Sequence, residues 1–299
     1  MDFSRARTVL IWVFLFLNFF LLDQIWQGEG GGSYIFPGWQ EEASRLETAL
    51  QAAGFSLETT LPRGGTRLAH LVVKPGEPAV EEFIYSVWQV LENGREDFPM
   101  PVPEKSPNGE KGVAGRKSYY FGDYCLHAEK KGLLVLEANK KNISHQKNTS
   151  GGEMLPVLQG FIRKDPFLKG FIYDYTQETQ QGTVVHYRQG YEGFPLYGGF
   201  LELMSGKEGD FVFTLYRLEP LGFAAQTREV ISPAASLLRF LEVYETNQEP
   251  VKKSIIDLAL GYYSCGYDAE KWEIPPVWRI RLHNGEVYYI NAFTGHLEK

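Results

Sequence analysis

Val277-Trp278-Arg279-Ile280-Arg281-Leu282, then Asn284-Gly285, then Glu286-Val287-Tyr288-Tyr289-Ile290 is the stretch on which the fold assignment turns. Two runs rich in β-branched and aromatic residues flank an Asn-Gly pair, which predicts a hairpin with a type I′ turn. Trp278, Ile280 and Leu282 alternate with Arg279, Arg281 and His283. A period of two places the first set on a core face and the second on a solvent face.

Working back from this hairpin, short strands are expected at Gly182 to Gln189, Leu196 to Met204 and Asp210 to Leu218, an antiparallel meander with Ser205-Gly206-Lys207-Glu208-Gly209 as one turn. Ser232-Pro233 reads as an N-cap followed by Pro at N1, opening a helix with Leu237, Leu238, Phe240, Leu241 and Tyr244 inward. A further short helix is expected over Ile255 to Tyr263. In the first half, a helix from Trp39 places Ala43, Leu46, Leu50 and Ala53 on one face and stops at Gly54. A strand over Arg67 to Lys74 and a helix bearing Val80, Phe83, Ile84, Val87, Trp88 and Leu91 follow. After a Pro-rich loop over 99–117, Tyr119 to His127 and Gly132 to Ala138 form a second hairpin. The polar run from Asn139 to Gly152 marks a domain boundary. The expected architecture is α+β: an N-terminal transmembrane helix, then two consecutive domains, 39–150 and 151–299, of antiparallel sheet with packed helices.

At the start of the chain, Arg5 and Arg7 precede the apolar block Val9-Leu10-Ile11-Trp12-Val13-Phe14-Leu15-Phe16-Leu17-Asn18-Phe19-Phe20-Leu21-Leu22. From Thr8 to Trp26, about 19 residues rise roughly 28 Å as a helix, close to the roughly 30 Å of a bilayer's hydrocarbon. No Lys or Arg recurs until Arg45. The positive-inside rule therefore keeps 1–7 cytoplasmic, makes 8–26 a signal anchor and places 27–38, a Gly-rich linker, with everything beyond it outside the cell membrane. Asp23-Gln24-Ile25-Trp26 lacks the small-x-small pattern of a cleavage site, so the anchor is expected to stay.

Net charge is -7, and hydrophobic residues make up 43% of the 299. That hydrophobic fraction supports folded domains, and the acidic balance disfavours nucleic acid and anionic lipid headgroups as partners. Cys125 and Cys265 read as two buried free thiols, with a disulfide as the alternative. His70, His127, His145, His186, His283 and His296 are scattered, none with a His or Cys at i+4, so no metal and no cofactor is expected. The pairs Glu41-Glu42, Glu81-Glu82 and Glu202 with Asp210 fall at helix starts or on hairpins, which favours structural roles over acid/base chemistry.

Two segments resemble a known family. Met1-Asp2-Phe3-Ser4-Arg5-Ala6-Arg7-Thr8 with its aromatic apolar block, and Asp257-Leu258-Ala259-Leu260-Gly261-Tyr262-Tyr263 leading through Pro276-Val277-Trp278-Arg279-Ile280 to Tyr289-Ile290-Asn291-Ala292-Phe293-Thr294-Gly295-His296, are similar to the YycH/YycI family. The tail also resembles PepSY-like modules, in which a strand runs into an x-Thr-Gly-x turn. The resemblance implies a non-catalytic membrane protein of Gram-positive bacteria. It would modulate a WalK/YycG-like sensor histidine kinase together with a related YycH-like protein. Under that reading the span itself is a contact surface, with Asn18, Trp12, Phe16 and Phe19 as partner-binding residues. An Asn in hydrocarbon gains roughly 0.6 to 2 kcal/mol from a hydrogen bond to another helix, unless it bonds its own backbone. An anchored ligand-binding or protease-inhibitor-like module is the alternative, and a cell-wall hydrolase a more distant one.

Overall fold

The computed structural model describes residues 12–14, 17–18, 39–62, 66–76, 80–91, 116–121, 124–129, 132–138, 159–162, 165, 168–206, 210–244, 253–264 and 269–298. The Gly-rich linker, most of the Pro-rich loop, the polar run at 139–152, His145 and Cys265 lie outside them, as do the side chains of Trp39, Trp88 and Leu91. By its contacts the chain divides into two compact units, 1–47 and 48–299.

Helix α1 (Trp39–Ala52) carries Glu41 and Glu42 in its first turn, where negative charge suits the helix dipole. It ends as expected at Gly54, whose φ of 72° is the left-handed conformation a C′ residue adopts. Helix α2 (Val80–Leu91) buries Phe83, Ile84 and Val87 on one face. Helix α3 (Pro233–Val243) starts at the anticipated cap: Ser232 Oγ accepts from Ala235 N at 3.0 Å, and Pro233 follows it.

Among the described residues, fifteen strands complete the fold. In chain order they are β1 (Phe55–Leu57), β2 (Arg67–Pro75), β3 (Arg116–Phe121), β4 (Tyr124–Glu129), β5 (Leu133–Ala138), β6 (Phe171–Glu178), β7 (Gly182–Tyr191) and β8 (Phe194–Gly206). They continue with β9 (Phe211–Tyr216), β10 (Leu218–Glu229), β11 (Lys253–Tyr262), β12 (Trp272–Ile274), β13 (Pro276–Leu282), β14 (Val287–Asn291) and β15 (Leu297–Glu298). Twelve of them form one sheet in the order β15-β14-β13-β11-β8-β9-β5-β4-β3, with β6-β7 added beside β8 and β1 beside β11; β10-β2-β12 form a second. Strands from both expected segments, 39–150 and 151–299, thus share one sheet through the antiparallel pairing of β5 with β9. The division at 150 is one of chain order, not of hydrogen bonding.

Alternation drives the packing. Leu126 and Ala128 of β4, Leu134 and Leu136 of β5, Val185 and Tyr187 of β7, Leu201 and Leu203 of β8, and Phe211, Phe213 and Leu215 of β9 form one core with Phe83, Ile84 and Val87 of α2. Phe83 and Phe213 place their ring centroids 5.5 Å apart. The second sheet meets the first where Leu71, Val73, Leu196, Leu218, Tyr262 and Ile274 cluster. Gln189 fastens that junction, donating from Nε2 to Leu218 O at 2.7 Å and accepting from Leu218 N at 3.1 Å.

Three expectations require correction. Ile255 to Tyr263 is no helix; Ile255 to Tyr262 belong to β11, an inner strand that pairs with β13, β1 and β8. A register irregularity between Ile255 and Asp257 breaks the period of two, so buried Ile255, Leu258 and Tyr262 fall at spacings that mimic a helical face. Tyr119 to His127 is not a single strand, since Phe121 pairs with Tyr124 and the chain reverses between β3 and β4. The closing hairpin is present with Trp278 opposite Ile290, but its turn is not type I′. Leu282 N donates to Glu286 O, Gly285 N donates to Leu282 O at 3.0 Å, and only Gly285, at φ 90°, is left-handed there. That is a three-residue loop whose Gly takes the left-handed position after a type I turn.

Gly261 of β11 sits where the inner strands crowd: a Cβ there would lie 2.6 Å from Pro195 O and from the Tyr197 ring. Gly261→Ala should therefore lower stability by about 1–3 kcal/mol, the usual cost of overpacking. Urea unfolding monitored by circular dichroism measures it, and an unchanged midpoint would contradict the crowding.

Candidate functional site

Arg279 lies mid-strand in β13 between Trp278 and Ile280, both buried; Trp278 Nε1 donates to Ile231 O at 3.0 Å. Alternation sends the Arg279 side chain to the opposite face, which the sequence pattern assigns to solvent. The structure corrects this, because Arg279 is 3% exposed. A buried guanidinium is tolerated only when charged partners replace water. Asp174 of β6 provides two acceptor oxygens, one taking a hydrogen bond from Nη1 and the other, at 3.0 Å, from Nη2. Asp257 of β11 accepts from Nη2 at 2.8 Å. Below the guanidinium the Tyr197 ring lies 4.5 Å away, and Tyr197 in turn contacts Tyr289, which stacks on Tyr263 at 3.8 Å.

The layer continues two residues along β13. Arg281 lies 4.4 Å over Tyr175, and Tyr175 stacks on His186 with centroids 4.3 Å apart. His186 Nδ1 donates to Glu202 Oε1 at 3.1 Å, the carboxylate being able only to accept. Arg188 Nη1 lies 3.9 Å from Asp174 Oδ1. Arg188, Arg279 and Arg281 thus face Asp174, Asp257 and Glu202, and the charges offset one another.

Burial works to lower the Arg279 pKa, but the hydrogen bond to Asp174, with Tyr197, Asp174 and Asp257 nearby, outweighs it and raises the group above its ordinary value. Burial pushes the Tyr197 hydroxyl up to about 12 against the pull of Arg279 and Arg188. Tyr289 is likewise raised, by burial first. The chemistry that follows is restrictive. An arginine already bonded to two carboxylates has little left to offer an anion, and tyrosines held protonated serve neither as bases nor as nucleophiles. What the layer does is bind together strands distant in sequence.

A second polar group sits on β3–β5. His127 Nε2 approaches Glu137 Oε1 at 2.9 Å and Cys125 Sγ at 3.3 Å, while Nδ1 meets Ser118 Oγ at 2.8 Å. Cys125 is free and buried. Burial first, with Glu137 adding to it and Tyr120 and Arg116 opposing, raises its pKa to about 11, so the thiol stays protonated near neutrality and is a poor nucleophile. Among the described residues no group of three or more His, Cys, Asp or Glu is arranged to hold a metal ion.

Of the expected span contacts, Phe16 and Phe19 lie outside the described residues. Trp12 and Asn18 are helical, Trp12 exposed and Asn18 half-buried. Asn18 Nδ2 donates to Phe14 O at 2.8 Å, one turn back on its own helix. No helix among the described residues is long and apolar enough to cross a membrane; most of 8–26 lies outside them. His283 and His296 are exposed, as expected of both.

Every member of the Arg279 layer falls within 124–293, the span over which the model of the YycI protein family matches this sequence. The match covers more than half of the 299 residues. The chain belongs to the YycI family. No curated protein matches it. Among solved structures, an uncharacterized protein from Eubacterium rectale is similar over 85% of this chain and 98% of its own, at 11% identity and a TM-score of 0.48. The C-terminal domain of YpeB from Bacillus megaterium is similar over 75% and 97%, at 13% identity and a TM-score of 0.39. In this YycI-family chain no local pattern links Asp174, Tyr197 or Asp257 to Arg279, and the cause is plain: they meet only through tertiary pairing, Asp174 lying 105 positions from Arg279.

Two buried tyrosines give a measurable consequence. Tyr262 is raised to about 12 by burial, as Tyr197 is, and its hydroxyl donates to Ala69 O at 2.9 Å, whereas the Tyr197 hydroxyl has no partner among the described residues. At neutral pH, Tyr262→Phe should cost about 1–2 kcal/mol and Tyr197→Phe close to nothing. A raised folded pKa means that the unfolded chain, near pKa 10, releases its proton first. Stability is then fully present below about pH 10 and lost as pH rises toward about 12. Urea midpoints at about pH 8, 10 and 11.5 should fall steeply over the last interval and less so in Tyr197→Phe; equal slopes would contradict the assignment.

Proposed function

We propose that this chain is a non-catalytic, membrane-anchored regulator of a WalK/YycG-like sensor histidine kinase, acting with a related YycH-like protein. Membership of the YycI family, matched over 124–293, is the observation that carries the reading. The closed polar layer around Arg279 agrees with it, being built to hold strands together with that guanidinium already bonded to two carboxylates. In this reading residues 1–7 are cytoplasmic, 8–26 cross the cell membrane once and the rest is extracytoplasmic, as Arg5 and Arg7 before the apolar block favour. A reporter fused after Lys299 should then be active only outside the cytoplasm, and cytoplasmic activity would reject the topology.

Contact with the kinase is assigned in part to the span, through Trp12, Phe16, Asn18 and Phe19. Asn18 already donates to its own backbone, which leaves its Oδ1 and second N–H for a neighbouring helix and limits what it adds. Replacing 8–26 by an unrelated apolar span of equal length should abolish co-purification of the kinase at matched expression. Asn18→Leu should weaken it by about tenfold at most, since about 1.4 kcal/mol is one decade. Undiminished recovery with the replaced span would move the contact to the external part, because tethering alone raises local concentration.

A further inference from the structure

The 12-stranded sheet has an uneven seam. β6 and β7 pair with each other, and β7 pairs with β8, along nearly their whole lengths. β11, β13 and β14 likewise pair along most of their lengths, with one irregularity at Ile255–Asp257. Between these two groups, among the described residues, the strand ladders join once, where β8 and β11 run parallel at Leu196 opposite Tyr262. Side chains add further links: Asp174 to Arg279, Tyr175 to Arg281, Tyr197 to Arg279 and Tyr289, and, beside the single backbone pair, Phe194 to Tyr262. At the far end of β6, Gln177 reaches the β13–β14 turn, where its Nε2 would lie 2.5 Å from a Cβ on Gly285.

We propose that β6–β7 and β11–β13–β14 are two leaves hinged at the Leu196–Tyr262 pair, with Arg279 as the latch that holds them shut. Each leaf keeps its own ladder of backbone hydrogen bonds, so parting them breaks none of these. Opening costs the two Asp174 hydrogen bonds and the ring contacts, while Asp257 travels with Arg279 on the same leaf and keeps the guanidinium half-paired. The aromatic faces of Tyr197 and Tyr289, covered in the closed form, become accessible on opening. Latch strength is therefore set by the Asp174–Arg279 pair, and a bidentate pair suits a two-position device because its geometry is satisfied in one arrangement only.

The test separates opening from unfolding. Spin labels at Thr176 on β6 and His283 beside the β13–β14 turn, both exposed, are placed as cysteines in the full chain with Cys125 and Cys265 changed to Ala. Distances are read by pulsed electron resonance, and amide exchange of β6, β7, β13 and β14 is followed in parallel. With Asp174 and Arg279 intact, one short distance is expected. Asp174→Asn, and more strongly Arg279→Met, should add a longer-distance population while strand amides lose no more protection than each variant's fall in unfolding free energy accounts for; Arg279→Lys should fall between. A single unchanged distance in both Asp174→Asn and Arg279→Met would overturn the hinge. So would a longer distance accompanied by loss of protection in the β6, β7, β13 and β14 amides beyond that fall, because the pair would then be supporting the strands themselves.

Discussion

The constraint on which much of this structure depends is that an arginine cannot be buried alone. The β13 strand must present Trp278, Ile280 and Leu282 to the core beneath α3, and alternation then forces Arg279 onto the other face, under β6. Desolvating a guanidinium costs several kcal/mol unless carboxylates replace the water. Asp174 and Asp257 do so from two different strands, and their placement fixes how β6 crosses β13 and how β11 registers beside it. Hydrophobic packing alone does not set that crossing. The large core under α2 takes its strand members from β4, β5, β7, β8 and β9, with β6 touching it through Phe171, whereas the ion pair holds β6 at Asp174 by two hydrogen bonds.

The layer also divides labour between apolar and polar faces. Under α2 the sheet buries an apolar face, with Phe213, Leu215, Leu201 and Leu136 all nearly inaccessible. Such burial supplies magnitude without direction. Above β13 the rings of Tyr175, Tyr197 and Tyr289 bury area too, but those of Tyr175 and Tyr197 also cover guanidinium faces, so orientation matters there. Directional contacts between two internally hydrogen-bonded groups of strands thus fix the orientation of one group against the other.

How much of this the sequence discloses depends on how local the cause is. Gly54 as a helix stop, Ser232-Pro233 as a helix start and the alternation of β7, β8 and β9 are decided within a few residues, and all stand in the structure. β11 reads as a helix because an irregularity at Ile255–Asp257 disguises its period, and because its three neighbouring strands bury more of it than alternation allows. Cys125 and His127 escape notice for a different reason: helical spacing misses i and i+2, the spacing that places two residues on one face of a strand. Their partner Glu137 then follows from hairpin register, opposite Cys125. The alternation around Arg279 is legible and correct, but what covers a strand's second face is a tertiary fact that no local pattern contains.

The central claim, that the Arg279–Asp174 pair sets the arrangement of these strands, is tested most directly by a double-mutant cycle. Arg279→Met, Asp174→Leu and the double variant would be compared with the parent chain by urea unfolding. Removing either partner leaves a buried charge only partly compensated, by Asp257 for Arg279 and by Arg188 for Asp174, while removing both replaces the pair by apolar contact. The account predicts that the double variant is more stable than the Arg279→Met single, with a coupling energy of about 2 kcal/mol or more. Additive losses, with coupling below about 0.5 kcal/mol, would contradict it.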